Sequence, residues 1–343
     1  MASTRTARAT LDTPRSGTPL LEITDLGVSY AGGVDVLRGV SFSIAEGEIV
    51  GLAGESGCGK STAVSAIMGL LPYGASAHGS IRYAGQEILG LPAKKMRRLR
   101  GGEIAAVFQE TTTALNPVVR VGEQLVRAVR AHADVSKSEA TERVTEALRR
   151  VRLHDTERVL SSYAGELSGG MSQRVLIAMA LGCGSRLLLA DEPTTALDVS
   201  VQQEILELLT SMAGEGLSVL MISHDLGVLN EISSRLMVLY GGELVEQGPT
   251  SAMVSTPMHP YSRALLECVP RLRTAQASFP EIPEPRPEEG QPQGCLFRNR
   301  CPLADDECLT HPSLTPVDVT REVRCWKAPV PQPPHPRGDR PSA

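Results

Sequence analysis

Glu48-Ile49-Val50-Gly51-Leu52-Ala53-Gly54-Glu55-Ser56-Gly57-Cys58-Gly59-Lys60-Ser61 is an apolar strand running directly into a glycine-rich turn. The last eight of these residues fit G-x-x-x-x-G-K-[ST] without a mismatch, and Ser61 to Leu71 has helix-forming composition, so the motif lies between a strand and a helix as its mechanism requires. Glycines let the backbone wrap an anion with successive N–H groups pointing inward. The helix that follows adds its positive end beneath. On this reading Gly54, Glu55, Ser56, Gly57, Cys58, Gly59, Lys60, Ser61 and Thr62 cradle the phosphates of a nucleotide. Lys60 reaches the β- and γ-phosphates, and the Ser61 hydroxyl ligates Mg²⁺. A glycine turn with a chance lysine is the competing account, and eight matching positions in the right context weigh against it. Cys58 is near a helix start, where thiols ionise more readily. It occupies a free position of the motif, however, and a small tolerated side chain is the simpler account.

Outward from this stretch, strands and helices alternate over residues 21–250, the pattern of an α/β domain. Leu187 to Ala190 reads as a second buried strand and Ser218 to Ser223 as a third. Residues 118–166 lose strand character, and Val144, Leu148 and Val151 share one face of a helix spanning Ser136 to Val151. This predicts a helical insert. Beyond 250 the composition shifts: residues 280–293 are a Pro/Glu-rich linker, a compact Cys-containing segment follows, and the end from 329 is Pro-rich. No internal repeat is visible, so one nucleotide-binding unit is expected.

A net charge of −5 gives no basic excess for nucleic acid, and none is expected as a partner. The cluster Lys94, Lys95, Arg97, Arg98, Arg100 reads as a solvated helix face. No apolar run approaches the roughly 18 residues needed to cross a bilayer. The first 20 residues are Ser/Thr/Arg-rich with one acid, Asp12, and lack a secretory apolar core. Transit peptides share that composition, but a disordered tail is the simpler expectation. Seven cysteines without an export signal imply a reducing compartment.

The remaining motifs narrow the field. Phe108-Gln109-Glu110, Leu167-Ser168-Gly169-Gly170-Met171-Ser172-Gln173, Arg186 to Pro193, Thr195-Ala196-Leu197-Asp198 and Ile222-Ser223-His224-Asp225 follow in that order. Together with the phosphate loop they resemble the motif series of the ATP-binding cassette (ABC) superfamily over residues 21–270. The resemblance implies an α/β fold of the P-loop NTPase (RecA-like) class. It also implies a helical subdomain at about 113–183 and a Cys-containing C-terminal extension over 251–328. It assigns Asp191 to Mg²⁺, Glu192 to the attacking water, His224 to sensing the γ-phosphate, and Gln109 to a Mg²⁺/water contact and hinge. Tyr30 falls where an aromatic stacks on adenine. Ser168, Gly169, Gly170 and Asp198 complete the ATP site of a second ATPase subunit, either a related chain or a second copy. Two departures stand out: Glu110 to Pro117 differs from the run usual in relatives, and Ser172 replaces a common arginine. Neither touches the catalytic set.

Leu115-Asn116-Pro117, Ala190 to Val199, His259 to Leu266 and the tail Gly294 to Pro302 resemble the oligopeptide/dipeptide importer ATPases. That resemblance implies a peripheral subunit at the cytoplasmic face of the cell membrane. Its partners would be two transmembrane permease subunits and, through the complex, an extracytoplasmic solute-binding protein. Nickel importers share much of this tail, leaving nickel or another small solute as the alternative cargo. A non-transport cassette ATPase of DNA repair or translation would carry coiled coils or two cassettes. A non-hydrolysing regulatory subunit would not need Glu192 and His224. Cys295, Cys301, Cys308 and Cys325 are spaced C-x5-C-x6-C-x16-C, and four thiolates suit a [4Fe–4S] cluster or tetrahedral zinc. Cys301-Pro302 and the resemblance imply the cluster; zinc and unliganded thiols stay open.

Overall fold

The computed structural model of the protein describes residues 18–108, 114–195, 197–268 and 294–328. Gln109, the stretch 280–293, the first 17 residues and the end from 329 lie outside the described residues. In chain order the first strands are β1 (Leu21–Tyr30), β2 (Val34–Ile44), β3 (Ile49–Ala53), β4 (Ser76–Tyr83), β5 (Gln86–Glu87) and β6 (Ile104–Val107). They are followed by β7 (Leu187–Asp191), β8 (Ser218–Ser223), β9 (Arg235–Tyr240), β10 (Glu243–Pro249), β11 (Thr315–Pro316) and β12 (Glu322–Val323).

Among the described residues these strands build two sheets. One is antiparallel, ordered β2-β1-β4-β5; the other is ordered β11-β12-β10-β9-β3-β8-β7-β6. The five strands β9-β3-β8-β7-β6 run parallel to one another. Their sequences are nearly unbroken apolar runs because both faces are covered. Val50, Leu52, Leu187, Leu189, Leu220 and Ile222 face the core shared with the antiparallel sheet. Their neighbours Ile49, Ala53, Leu188, Ala190, Val219 and Met221 face the core under the helices. The two-residue period of a strand thus assigns each residue to one layer or the other.

The helices between the strands are α1 (Lys60–Ile67), α2 (Ala93–Leu99), α3 (Val121–His132), α4 (Lys137–Arg150), α5 (Thr156–Ser161) and α6 (Gly169–Cys183). Later come α7 (Val199–Gly214), α8 (Leu226–Ile232), α9 (Thr250–Ser255) and α10 (Pro260–Glu267). From β6 to β7 the described residues add no strand, and α3, α4 and α6 pack through Leu125, Val129, Val144, Leu148 and Val175. Ser136 caps α4, its hydroxyl accepting from the Glu139 N–H at 3.1 Å. No helix among the described residues is long and apolar enough to cross a membrane.

The sequence reading is corrected in one region. The helix expected to reach Leu71 stops at Ile67, with Met68 as its C-cap and Gly69 left-handed at φ +59°. Arg100, read as one of a solvated cluster, is half-buried and donates to the Met68 and Gly69 carbonyls at 2.6 Å each. It satisfies the orphan carbonyls that end α1. Lys94, Lys95, Arg97 and Arg98 are exposed.

The C-terminal segment is built into the main sheet: β12 pairs antiparallel with β10, Glu246 opposite Val323 and Gln247 opposite Glu322. Phe297 enters the core and meets the rings of Tyr240 and Tyr261, centroids 5.2 and 5.4 Å away. Core packing dominates stability here. Leu189→Ala opens a void at a fully buried position and should cost about 2–5 kcal/mol in urea denaturation, against roughly 0.5 or less for Leu303→Ala on the surface.

Candidate functional site

The turn after β3 is crowded by both backbone and side chains. A Cβ on Gly54 would lie 2.4 Å from the Leu239 carbonyl oxygen, and one on Gly59 would lie 2.7 Å from the Leu37 side chain and 3.0 Å from the Val36 carbonyl oxygen. Both residues also have positive φ, +155° and +109°. Gly59 is the N-cap of α1, whose first residue is Lys60. The Lys60 ammonium is buried and donates to the Gly54 and Glu55 carbonyls, each at 2.8 Å. The cation thus ties the two ends of the loop together. Ser56 and Gly57 form the exposed crest. Cys58 is buried, which pushes its thiol above its ordinary value despite the nearby Lys60 charge. That argues against ready ionisation there. Thr62 is buried and shares a 2.9 Å hydrogen bond with the Tyr30 hydroxyl, so Tyr30 stands over the start of α1.

Asp191 ends β7 and is buried beside this turn. Burial raises its carboxyl above the usual range, while a hydrogen bond from Ser61 opposes the shift. The pair offers only oxygen donors, a set that suits a hard divalent cation such as Mg²⁺. Next in the chain, Glu192 has φ +50°, a left-handed conformation that costs a non-glycine residue about 1–3 kcal/mol. Its N–H is tied to the Ile222 carbonyl of β8 at 2.9 Å. One carboxylate oxygen lies 3.0 Å from His224 Nδ1, and the other accepts from the Thr195 hydroxyl at 3.0 Å. Burial works against ionisation of Glu192, but these hydrogen bonds outweigh it and hold the carboxyl below its ordinary value. His224 is exposed, on the far side from the core.

The structure therefore brings Lys60, Ser61, Asp191, Glu192 and His224 together at the carboxyl ends of β3, β7 and β8. Ser168, Gly169 and Gly170 form a second cluster. Ser168 caps α6 by accepting from the Met171 N–H at 3.3 Å, and it is exposed with Gly169. A Cβ on Gly170 would meet Val201 of α7 at 2.4 Å, so glycine permits α6 and α7 to touch at their starts. Asp198 caps α7, accepting from the Ser200 hydroxyl and the Val201 N–H. Ser168 and Asp198 thus face outward from adjacent helix starts. Gln109 follows Phe108 after β6 and lies outside the described residues.

Two features of the site were not anticipated from the motifs. The Glu55 N–H donates to the Tyr261 hydroxyl at 2.9 Å, and the Glu55 carboxylate receives two hydrogen bonds from Arg300, both 2.8 Å. Tyr261 and Arg300 come from α10 and the Cys-containing segment. The only sequence signal was their place in stretches already singled out, 259–266 and 294–302.

In that segment Cys295, Cys301, Cys308 and Cys325 are drawn onto one small unit, where the Cys295 N–H donates to the Cys308 carbonyl at 2.9 Å. Burial pushes the Cys295 thiol up to about 11, with the other three sulfurs adding to the shift. Burial likewise raises Cys301 and Cys325. Backbone N–H groups two residues on point at the Cys301 and Cys325 sulfurs, from Leu303 at 3.4 Å and Lys327 at 3.3 Å. Among the described residues, no three His, Cys, Asp or Glu side chains stand close enough to hold a metal ion.

Comparison with known proteins agrees with this geometry. Residues 37–195 match the family described as "ABC transporter", and residues 245–308 match "Oligopeptide/dipeptide transporter, C-terminal region". A probable peptide ABC transporter ATP-binding protein of Sinorhizobium fredii is 43% identical over 318 residues, covering 90% of this chain and 95% of that protein. The oligopeptide transport ATP-binding protein OppD of Salmonella typhimurium is 41% identical, covering 92% and 95%. The solved dimer of the cassette MJ0796 in a post-hydrolysis state with ADP and Pi superposes with a TM-score of 0.60 at 28% identity, over 67% of this chain and 98% of that one. Structure of cbiO1 from Clostridium perfringens, part of the cbiONQ transporter complex, gives 0.63 at 26% identity, over 70% and 92%. The chain belongs to the ATP-binding cassette transporter ATPases, in the branch that carries the oligopeptide/dipeptide transporter C-terminal region.

Proposed function

We propose that this chain binds ATP with Mg²⁺ and hydrolyses it to drive import of di- and oligopeptides. Hydrolysis is carried by one observation above all: Glu192, held by His224 and Thr195, sits next to Asp191 at the phosphate loop. The Lys60 ammonium, held at the loop by the Gly54 and Glu55 carbonyls, would meet the β- and γ-phosphate oxygens. Asp191 and Ser61 would hold the Mg²⁺, which would neutralise charge on the phosphates. Glu192, kept ionised, accepts a proton from the attacking water, and His224 fixes the direction of its carboxylate. The strained φ at Glu192 serves this by aiming the side chain out of the strand. Gln109 is assigned the hinge between nucleotide and helical subdomain.

Ser168, Gly169, Gly170 and Asp198 serve the ATP of a second ATPase subunit, a related chain or another copy. Their outward-facing placement supports this reading, as does the dimeric state of the solved MJ0796 relative. Two permease subunits and an extracytoplasmic solute-binding protein complete the complex, with this chain peripheral on the cytoplasmic membrane face. Peptide as cargo rests on the named relatives and on the C-terminal region match. The intact Glu192–His224 pair disfavours a purely regulatory, non-hydrolysing subunit.

We further infer that the four C-terminal cysteines hold a [4Fe–4S] cluster that braces the extension. Support comes from their gathering on one unit and from the N–H groups aimed at sulfur, which stabilise thiolates.

Three measurements check these readings. Glu192→Gln should lower ATP turnover by about 10²–10⁴-fold while ATP binding persists; unchanged turnover would remove Glu192 as the base. In the complex reassembled with its permeases and binding protein, a peptide panel should stimulate turnover and nickel should not. Anaerobically purified chain should be brown with about four irons per chain, whereas colourless, zinc-loaded protein would refute the cluster.

A further inference from the structure

Glu55 is the first variable residue of the phosphate loop, and all three of its polar groups are engaged. Its carbonyl accepts from Lys60, its N–H donates to the Tyr261 hydroxyl, and its carboxylate is gripped by Arg300 through two parallel hydrogen bonds. From within the loop the carbonyl is met by Lys60 and, at 3.4 Å, by the Cys58 N–H; the other two partners come from outside it. The guanidinium is itself fixed: its side chain is 8% exposed and lies over the rings of Tyr240 and Phe297, 5.7 and 5.8 Å from their centroids. Tyr261 is fully buried and packs on Tyr240 at 4.6 Å. A rigid aromatic platform thus presents one cation and one acceptor to a single residue of the loop.

That residue has an electrostatic problem. A loop that receives a triphosphate gains nothing from a carboxylate of its own, because like charges at close range disfavour binding. A bidentate guanidinium both neutralises the carboxylate and fixes its direction. Loss of the guanidinium would leave Glu55 free to turn toward the phosphates and would release one anchor of the loop backbone.

We propose that Arg300, assisted by Tyr261, is a positioning residue for ATP: it draws the Glu55 carboxylate away from the phosphate site and holds the loop in its binding shape. The Cys-containing extension then contributes to nucleotide affinity through Arg300, which directly precedes Cys301. This rests on the reading of residues 54–61 as the ATP site.

The test uses the full-length chain and titration with Mg²⁺-ATP. Arg300→Ala should weaken ATP binding about tenfold, and Arg300→Lys, which keeps charge but not the fork, by less. Adding Glu55→Gln to Arg300→Ala should recover at least half of the loss, a rescue that a merely structural role for Arg300 would not give. The loss should also shrink as salt is raised. Wild-type affinity in folded Arg300→Ala, or no recovery in the double variant, overturns the proposal. Should Arg300→Ala fail to fold, Arg300→Lys with and without Glu55→Gln gives the same comparison. A wild-type chain that binds no ATP overturns the site reading itself; Lys60→Ala, expected to abolish binding, is the matching control.

Discussion

The passage from Ala53 to Lys60 must turn a buried strand into a helix through a glycine-rich loop able to wrap an anion. No room exists at this turn for Cβ atoms at Gly54 or Gly59, because the backbones of β2 and β9 close on it from two sides. Every other element of the site is placed relative to that turn. β7 and β8 lie successively beside β3 on one side, so Asp191, Glu192 and His224 end near the loop; β9 lies on the other and brings Tyr240. The parallel register supplies this convergence without any long-range designed contact.

Charge management is the second recurring theme. Lys60 donates to carbonyls of its own loop, so this buried ammonium has partners. Asp191 is shielded by Ser61, Glu192 by His224 and Thr195, and Glu55 by Arg300. Carboxylates crowd a site meant for a polyanion, and each is directed away or occupied by a donor. Binding of nucleotide becomes an exchange of partners rather than the desolvation of bare charges.

The catalytic core of this arrangement was legible in the sequence because it is local. The strand–turn–helix around Lys60, the apolar runs of β7 and β8, and the apolar face of the helix after Ser136 all follow from short patterns. Asp191 and His224 each stand at the end of such a run, and it was their place in a motif series resembling that of the ATP-binding cassette superfamily that singled them out. What sequence could not show depends on contacts far apart in the chain. Arg100 looked like surface charge until the end of α1 came within its reach, 31 and 32 residues back. The strained φ of Glu192 depends on an N–H bond to β8, and the Arg300–Glu55 pair spans 245 residues. Neither leaves a periodic trace.

The short pairing of β12 with β10 has a consequence for the exposed margin of the main sheet. A sheet ending on β10 would offer a row of open N–H and C=O groups, a template for pairing with another chain. Residues 322–323 occupy that row opposite Glu246 and Gln247, and β11 then closes the margin with a two-residue strand containing Pro316, which has no N–H to donate. At the far margin β6 is only four residues long. The tail is therefore also a guard against self-association, and a chain that lost it would carry every nucleotide motif and still risk pairing edge to edge with its own copies.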